Sequence, residues 1–261
     1  RGGGYSYAAA SFKKESLSLC MKNFNRILHF SPKEKTITVE AGITILEFLN
    51  FTLKSGLWIP QIPGYPFISI GGAVASNVHG KSAGTHGTIK NAIKEILIFH
   101  KKNGWIKLSN EENKNVFDLT VGGYGLTGTI VSVTFKLTNF QNFSFETSTT
   151  KVNSLIETVN LIKNNKDKNS FIYSWNTVYP KTKNFGDGLI FSNKMNDKNV
   201  EKKTNLLKFK ETKFYEDFSH FCLWNKLSVK SFNFLFFIYH NMVKNKIYND
   251  SFSNVIFPYL G

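Results

Sequence analysis

The stretch that decides the fold runs from Pro63 to Gly87 and reads PGYPFISIGGAVASNVHGKSAGTHG. From Ser69 onward most of its side chains are small, whereas a buried helix or strand normally fills space with bulky residues. Such a run indicates a backbone that lies against something large and flat. The stretch has neither a GxGxxG motif directly after a strand nor a GxxxxGKS or GxxxxGKT phosphate loop. Alone, this signal is weak, and His79 within the stretch is equally typical of a structural histidine.

Two further glycine-rich segments stand on either side of this stretch. Residues 1–10 read RGGGYSYAAA, and residues 121–128 read VGGYGLTG. Glycine allows positive φ angles and a close approach of the backbone to a ligand. Consecutive amides in such a turn form a concave site for an anion, and a pyrophosphate is a natural guest. Each segment by itself is equally compatible with a tight turn or a hairpin connection.

The periodicity of apolar residues predicts a mixture of strands and helices. Asn103 and Gly104 are typical of a hairpin turn. Glycine becomes rare beyond Asn139, where Asn, Lys and Phe dominate, so we predict one domain over residues 1–139 and a second over residues 140–261. The predicted strands are residues 16–22, 36–40, 95–101, 105–108, 129–137, 171–178 and 189–192, and the predicted helices are residues 45–53 and 152–163.

The charge of the chain is high and evenly spread. The 261 residues carry a net charge of +15, with 16 basic and 8 acidic side chains in residues 1–140 and 17 and 10 in residues 141–261. Only Arg1 and Arg26 are arginine, the usual reader of phosphates and bases. We therefore expect no nucleic-acid partner. The densest apolar run, Phe232 to Tyr239, is shorter than the ~18 residues of a membrane span.

The two cysteines, Cys20 and Cys222, form no CxxC pair and no metal cluster, so we expect no metal site. Cys20 lies in an apolar stretch, which predicts a buried free thiol. A reducing compartment fits this usage. We expect a cytoplasmic or a membrane-peripheral protein.

Taken together, in this order and spacing, the glycine segments resemble the PCMH-type FAD domain of the vanillyl-alcohol-oxidase superfamily. The resemblance is strongest to the FAD-dependent decaprenylphosphoryl-ribose oxidase family. It is carried by RGGGYSY (1–7), GLWIPQIPG (56–64), ISIGGAVASNVHGK (68–81) and TVGGYGLTGTI (120–130). Residues 227–238 (LSVKSFNFLFFI) are similar to that family's substrate domain, and Phe257-Pro258-Tyr259-Leu260 stands where its FFxPLD stretch would be.

The resemblance implies an α+β fold, in which a PCMH-type two-part FAD-binding domain is followed by an incomplete α+β substrate (cap) domain. It also implies that the chain is a fragment, without the family's opening βαβ unit and without the C-terminal part that supplies a Lys and a Tyr beside the flavin. The first glycine segment would wrap the pyrophosphate, the second would pass the ribityl chain and isoalloxazine, and the third would lie near the adenine. The implied FAD contacts are Arg1, Gly2, Gly3, Gly4, Tyr5, Ser6, Tyr7, Gly64, Ser69, Ile70, Gly71, Gly72, Ser76, Asn77, Val78, His79, Gly125 and Ile130.

One position departs from the wider superfamily. Many members attach the flavin covalently through a His of the first loop, and Tyr5 stands at that position here. The 63–87 stretch also has no thiol. We therefore predict non-covalent FAD. By the same resemblance, His79 and Lys81 are the candidate catalytic residues, His79 against the flavin and Lys81 facing the substrate or its phosphate.

The function implied by the resemblance is oxidation of a secondary alcohol of a sugar, with hydride transfer to FAD. A polyprenyl-phosphate-linked sugar is the candidate substrate, and an NAD-dependent reductase acting on the keto product is a candidate partner. The Lys- and Phe-rich residues 223–247 would then contact lipid, or would form an ordinary substrate-domain helix. The alternatives are an aldonolactone oxidase of the same superfamily and a flavin-free binding module.

Overall fold

The computed structural model describes residues 1–6, 14–140, 142–178, 185–196, 207–209, 226–242 and 247–258. Its contacts divide the chain into two compact units. The first unit contains Arg1–Gln141 and also Leu207 and Ile256–Pro258 from later in the chain. The second contains the other described residues between Asn142 and Val255. The division thus falls close to Asn139, where the composition changes. That the second unit is a substrate domain stays a prediction.

The first unit is built on an antiparallel sheet. Its described strands are ordered β1-β2-β6-β4-β5, and β3 pairs with β7 separately. Short 3-10 turns occupy Leu53–Ser55 and Ile89–Ala92. The strands are β1 (Ile27–Ser31), β2 (Thr36–Glu40), β3 (Leu57–Trp58), β4 (Ile93–His100), β5 (Gly104–Ser109), β6 (Thr129–Lys136) and β7 (Thr138–Asn139), and the helices are α1 (Ile45–Thr52), α2 (Ile70–Ala75), α3 (Ala83–His86) and α4 (Lys114–Thr120).

Helix α1 covers the apolar face of this sheet. Thr44 caps α1 through a capping box, because its side chain accepts from the Glu47 amide and the Glu47 carboxylate accepts from the Thr44 amide. Phe48 of α1 packs edge-on against Phe135 of β6, with ring centroids 5.5 Å apart. The sheet side chains beneath it share one face and are fully buried: Ile37, Val39, Ile96, Val133 and Phe135.

The second unit is a smaller sheet between two helices. Its strands are β8 (Ser144–Val152), β9 (Phe171–Asn176), β10 (Gly188–Met195) and β11 (Tyr248–Ser251). Its helices are α5 (Leu155–Asn165), α6 (Lys226–Met242) and α7 (Phe252–Ile256). The last residue of α7, Ile256, is counted in the first unit. The described strands are antiparallel in the order β11-β8-β10-β9.

The two faces of this second sheet are covered by different side chains. Val152, Ile172 and Ile190 form an apolar cluster with Leu161 and Ile162 of α5. The opposite face is aromatic, because Trp175 and Phe191 of the sheet pack against Phe236 and His240 of α6. The unit therefore has an aliphatic side and an aromatic side.

Several sequence predictions are confirmed and two are wrong. The strand at residues 36–40, the hairpin at Asn103 and Gly104 and the helix at residues 45–53 are present. The predicted strand at residues 16–22 is wrong, because this segment forms no strand and lies on the surface with Leu17 and Leu19 exposed. The predicted burial of Cys20 is wrong for the same reason, since its thiol is exposed.

In the part of the chain that the structure describes, no helix is long and apolar enough to cross a bilayer. The same residues contain no group of three or more His, Cys, Asp or Glu side chains that could hold a metal ion. Cys222, Tyr7, Tyr259 and Leu260 lie outside the described residues.

Candidate functional site

The six-residue helix α2 lies where the three glycine segments meet. Ser69 caps it, with the Gly72 amide donating to Ser69 Oγ at 3.3 Å. Ile70, Ala73 and Val74 are buried, which fixes the inward face of α2. The outward face carries only small side chains, and Gly72 and Ser76 on it are exposed. A flat ligand can therefore approach the backbone of α2 from this side.

The first glycine segment lies against the N-terminal end of α2. A Cβ atom built on Gly2 would be 2.0 Å from Ser69 Oγ, so only glycine fits this approach. Two backbone hydrogen bonds hold the segment in place, because Arg1 N donates to the Leu19 carbonyl at 2.6 Å and Met21 N donates to the Arg1 carbonyl at 2.8 Å.

Three consecutive amides of this segment are available for a ligand. Among the described residues, the N–H groups of Gly2, Gly3 and Gly4 donate to no acceptor. Gly4 has φ +85°, the left-handed conformation in which successive amides converge. The Arg1 guanidinium lies beside it, since a Cβ on Gly4 would be 2.6 Å from Arg1 Nη2. Convergent amides next to a cation form a site for an anion such as a phosphate.

The third glycine segment lies against the C-terminal end of α2. Gly122 N donates to the Val74 carbonyl at 3.1 Å, and Tyr124 N donates to the Ala75 carbonyl at 2.9 Å. These bonds satisfy carbonyl groups that a helix leaves open at its end. A Cβ on Gly122 would lie 3.3 Å from Asn77 Cβ, which brings the second and third segments into contact. One short helix thus connects all three segments.

Asn77 carries an unsatisfied polar atom at this junction. Its backbone is left-handed, with φ +44°, and it follows the C-cap residue Ser76. Asn77 Oδ1 is buried and accepts no hydrogen bond from any described residue. A buried acceptor without a donor costs about 1–3 kcal/mol, so such atoms usually meet a ligand or a water. Asn77 Oδ1 is therefore an acceptor that an N–H or O–H group of a ligand, or a water, would satisfy.

Tyr5 belongs to an aromatic group beside the first segment. Its ring folds over Gly3, where a Cβ would lie 2.5 Å from Tyr5 Cε2. The ring meets Tyr65 edge-on at 4.8 Å, and Tyr65 meets Phe67 at 5.5 Å. A tyrosine side chain offers no imidazole nitrogen for a covalent link to the flavin. It offers instead an apolar ring beside the free amides.

The two candidate catalytic residues differ in their surroundings. His79 is exposed and forms an isolated antiparallel bridge with Thr88. Lys81 is half-buried, and its Nζ donates to the Ile256 carbonyl at 3.2 Å. His79 is therefore accessible from solvent, whereas Lys81 is held against Ile256.

The other predicted contacts divide into backbone and surface positions. The side chains of Ile70 and Ile130 are buried in the protein interior, and Ile130 pairs with Ile98 across β6 and β4. Any contact of Ile70 with a ligand therefore goes through its backbone. Gly64 and Gly125 are exposed and have open space where a Cβ would stand. The remaining predicted contacts, Ser6, Gly71 and Val78, are half-buried. Ser6 has a bonding partner of its own. The Gly71 amide donates to the Ala41 carbonyl at 2.7 Å, and the Val78 amide donates to the Ala73 carbonyl at 3.0 Å.

Sequence reasoning missed Gln61. Its side chain is 5% exposed, and its Nε2 donates to the His86 carbonyl at 2.9 Å, while Oε1 has no partner among the described residues. Partial burial also lowers the pKa of the His86 imidazole. The available signal was a lone amide between the buried residues Ile59 and Ile62.

The described residues fit an FAD. The free amides of Gly2 to Gly4 suit a pyrophosphate, the outward face of α2 suits a flat ring system, and Asn77 Oδ1 suits a donor group on the ligand. These three features belong to the same unit of the structure. Together they are compatible with a ligand that has a diphosphate and a flat ring system.

Comparison with known families agrees with a ligand of this class. The family model described as an FAD binding domain matches residues 1–109. These residues include the first two glycine segments and the strands β1 to β5. The predicted PCMH-type FAD-binding domain, with FAD as its cofactor, is thereby confirmed.

Curated relatives point to a narrower resemblance. The decaprenylphosphoryl-beta-D-ribose oxidase of Mycolicibacterium smegmatis is 27% identical over 193 residues, which cover 73% of this chain and 42% of the relative. The L-gulonolactone oxidase of Mus musculus is 24% identical over 135 residues, covering 52% of this chain and 30% of the relative. The chain spans less than half the length of these relatives.

A solved structure of an alkyldihydroxyacetonephosphate synthase shares the fold. It superposes with a TM-score of 0.61 at 16% sequence identity, covering 76% of this chain and 44% of that one. At this identity the likeness supports the fold alone. The α+β class and the PCMH-type architecture are confirmed by it together with the family match.

Proposed function

We propose that this chain is part of an FAD-dependent oxidoreductase that oxidises a secondary alcohol of a sugar. The observation that carries the proposal is the meeting of three glycine segments at α2, with free amides at one end and the orphaned Asn77 Oδ1 at the other. The relatives in the comparison are named as oxidases, which favours redox chemistry at this site.

When bound, FAD supplies the hydride-accepting chemistry. The chain's own residues would bind and orient it: Gly2 to Gly4 would hold the diphosphate, and the small outward side chains of α2 would leave room for the ring system. His79 is the candidate residue against the ring, because it is exposed four residues after the end of α2. Lys81 is the candidate cation for negative charge that develops nearby.

The flavin is proposed to be bound without a covalent link. Tyr5 stands where the wider superfamily has its linking His, and its ring is held by Tyr65. The test is the visible spectrum of the purified complete protein before and after acid precipitation. Yellow colour that moves into the supernatant supports non-covalent FAD. Colour retained in the pellet contradicts the Tyr5 argument and leaves the flavoprotein intact.

A colourless protein that does not take up added FAD would remove the oxidoreductase proposal and favour the flavin-free binding module. The Tyr5→Phe variant is the matched control for the acid test, because it removes the hydroxyl and keeps the ring. We expect both proteins to release the flavin.

The proposed substrate is a polyprenyl-phosphate-linked sugar, and the second candidate is an aldonolactone. The oxidase of M. smegmatis favours the first, with its match over 73% of this chain. The gulonolactone oxidases, matched over about half of the chain, favour the second. Anaerobic mixing with a polyprenyl-phosphoryl pentose or with L-gulono-1,4-lactone separates them, because the true substrate bleaches the yellow absorbance.

We also propose that the second unit, which holds the described residues between Asn142 and Val255 other than Leu207, is the substrate domain. The proposed partner, an NAD-dependent reductase acting on the keto product, follows from the reaction class. An assay that couples oxidation to NADH consumption tests it, with the reductase omitted as the control. Turnover of NADH that needs both proteins supports the pairing, and turnover without the flavoprotein contradicts it.

A further inference from the structure

The loop at residues 79–88 carries both candidate catalytic residues, His79 and Lys81, and contains helix α3. Its two ends are joined, because His79 and Thr88 form an isolated antiparallel bridge. Compact loops whose ends lie close together frequently carry function. We call residues 79–88 the histidine loop. Whatever fixes this loop also fixes the backbone of His79 and Lys81.

Gln61 stands at the centre of a tight turn that contacts the histidine loop. The Ile62 amide donates to the Pro60 carbonyl at 2.9 Å, which forms an inverse γ-turn around Gln61. The side chain of Gln61 reaches the loop, where its Nε2 donates to the His86 carbonyl at 2.9 Å. The Pro60 carbonyl also accepts from Ser82 Oγ at 2.6 Å. The turn thus binds the loop through one side-chain amide and one backbone carbonyl.

The same turn touches the loop between the two candidate catalytic residues. A Cβ atom built on Gly80 would overlap the carbonyl oxygen of Ile62, so the two backbones are in direct contact. Gly80 lies between His79 and Lys81 in the sequence. A shift of the turn relative to the loop would therefore move the backbone that carries both side chains.

The hydrogen bonding of Gln61 is incomplete. The residue is 5% exposed, and its Oε1 has no donor among the described residues. The amide cannot be turned round, because Oε1 would then meet the His86 carbonyl, which is also an acceptor. A buried acceptor without a donor costs at least as much stability as one neutral hydrogen bond contributes. The stability of the fold therefore does not explain why an amide stands at this position.

We propose that Gln61 is a positioning residue, which holds the histidine loop so that His79 and Lys81 keep their places beside the flavin. The part that concerns the flavin rests on the proposed function. Polar groups that bring no stability are typical of functional sites. Removal of the amide should therefore leave the protein as stable as before, with a looser loop and slower chemistry.

The main test is the Gln61→Leu variant of the complete protein, which removes the amide and keeps a side chain of similar size. Because the loop loses a tether, we expect its amides to exchange with deuterium about tenfold faster than in the wild type. Exchange in β4 and β6 and the midpoint of thermal unfolding should not fall below the wild-type protection. Unchanged exchange in the loop overturns the proposal. A lower midpoint with faster exchange in the whole first unit shows a purely structural role and also overturns it.

The matched control is Thr52→Val, which also replaces a buried polar side chain by an apolar one of similar size. Thr52 is fully buried, and its Oγ1 donates to the Phe48 carbonyl at 3.1 Å within α1. We expect exchange in the histidine loop of this variant to match the wild type. An equal increase in both variants would follow from the loss of any buried hydrogen bond and would contradict the assignment to Gln61.

The Gln61→Glu variant makes the tether depend on pH. A protonated carboxyl donates to the His86 carbonyl as the amide does, whereas a carboxylate has no hydrogen to donate. Burial raises the pKa of a carboxyl group. Relative to the wild type at each pH, the loop should therefore be protected normally at low pH and should exchange as in Gln61→Leu at high pH. Exchange that does not respond to pH contradicts the role of the Nε2 hydrogen bond.

The effect on the flavin has a separate measurement. We expect Gln61→Leu to bind FAD as the wild type does, and to be reduced about tenfold more slowly by the polyprenyl-phosphoryl pentose or the lactone, whichever bleaches the wild type. Faster loop exchange with an unchanged rate of reduction overturns the positioning role. A wild-type protein that takes up no FAD overturns the proposed function and the positioning role together, whereas unchanged loop exchange overturns the positioning role alone.

Discussion

Helices α2 and α6 present surfaces of opposite kinds. Helix α2 has six residues with small outward side chains, and its backbone is the surface. Helix α6 has 17 residues and presents bulky rings both to the sheet beneath it and to solvent. The difference shows two ways in which a segment recognises something. Small side chains leave backbone amides accessible to a ligand that needs hydrogen bonds. Large apolar side chains provide contact area for an apolar partner.

The largest expected effect comes from filling the bare face of α2. The Gly72→Leu variant adds a side chain on the exposed side, where the nearest group to its Cβ is Ser69 Oγ at 3.1 Å. We expect the fold to persist and the dissociation constant for FAD to rise about 100-fold, or about 2.7 kcal/mol. Titration of the apoprotein with FAD measures it.

Asn110→Leu is the control, since it adds the same side chain to the exposed turn after β5. Binding of FAD by Gly72→Leu at the wild-type affinity would show that the outward face of α2 is not the ligand face.

The two faces of α6 should differ in their effect on stability. Phe236 packs against Trp175, Phe191 and His240, so Phe236→Ala should lower the free energy of unfolding of the second unit by about 2–3 kcal/mol. Phe234 is 65% exposed, and Phe234→Ala should change the free energy of unfolding by less than about 0.5 kcal/mol. Thermal unfolding followed by circular dichroism compares them. Equal losses would mean that α6 packs in a different orientation.

A smaller effect is expected at Glu40 of the first unit. The Arg26 backbone N, Nε and Nη2 donate to the buried Glu40 carboxylate at 2.8, 3.1 and 2.8 Å. The side-chain hydrogen bonds from Arg26 lower the pKa of Glu40, although burial opposes the shift. We expect Glu40→Gln to cost about 1–2 kcal/mol at neutral pH.

The pH dependence of this contact has a definite sign. Because the pKa of Glu40 is lower in the folded state than its unfolded value of about 4.3, its stabilisation is complete above that value. It is lost as the pH falls through the folded pKa. The difference in stability between wild type and Glu40→Gln should therefore shrink in acid. A constant difference down to the lowest pH would contradict the ionic role of Glu40.

The smallest effect is expected at His240 of the second unit. Burial among Phe191, Phe236 and Tyr239 lowers the pKa of its imidazole. The neutral form is thus favoured in the fold, and the stability of this unit should fall as the pH drops below the unfolded value of about 6.5. The midpoint of thermal unfolding at pH 7.5 and 5.5 measures it. His240→Phe places a phenyl ring, which cannot be protonated, where the imidazole stands. This variant should abolish this part of the pH dependence.

The sequence predicted the regular parts of the first unit well. Strands β2 and β6 and the β4–β5 hairpin have alternating β-branched residues or a clear turn, which are local signals. The same alternation wrongly predicted a strand at residues 16–22. Leu17 and Leu19 are exposed there, and no partner strand lies beside them among the described residues. Alternation reports a side-chain pattern, whereas a strand also needs a neighbour.

The candidate site was harder to predict than the sheet. Helices α2 and α3 lie inside the small-residue stretch, where Gly and Ala give no apolar periodicity. The start of α5 at Leu155 could have been found, because Ser154 accepts from the Glu157 amide in a standard N-cap. The contact of Gly122 with Val74 and the orphaned Asn77 Oδ1 depend on distant parts of the chain meeting, which no local pattern contains.

The hydrogen bond from Lys81 to the Ile256 carbonyl can form only late in the synthesis of the chain. Phe257, which follows Ile256, is fully buried and counts among the residues of the first unit. On the ribosome, the residues up to Gln141 emerge long before Phe257 does. Part of the interior of the first unit therefore stays exposed until residues 256–258 are made. A nascent chain arrested after residue 141 should be more sensitive to protease than one that extends beyond Pro258.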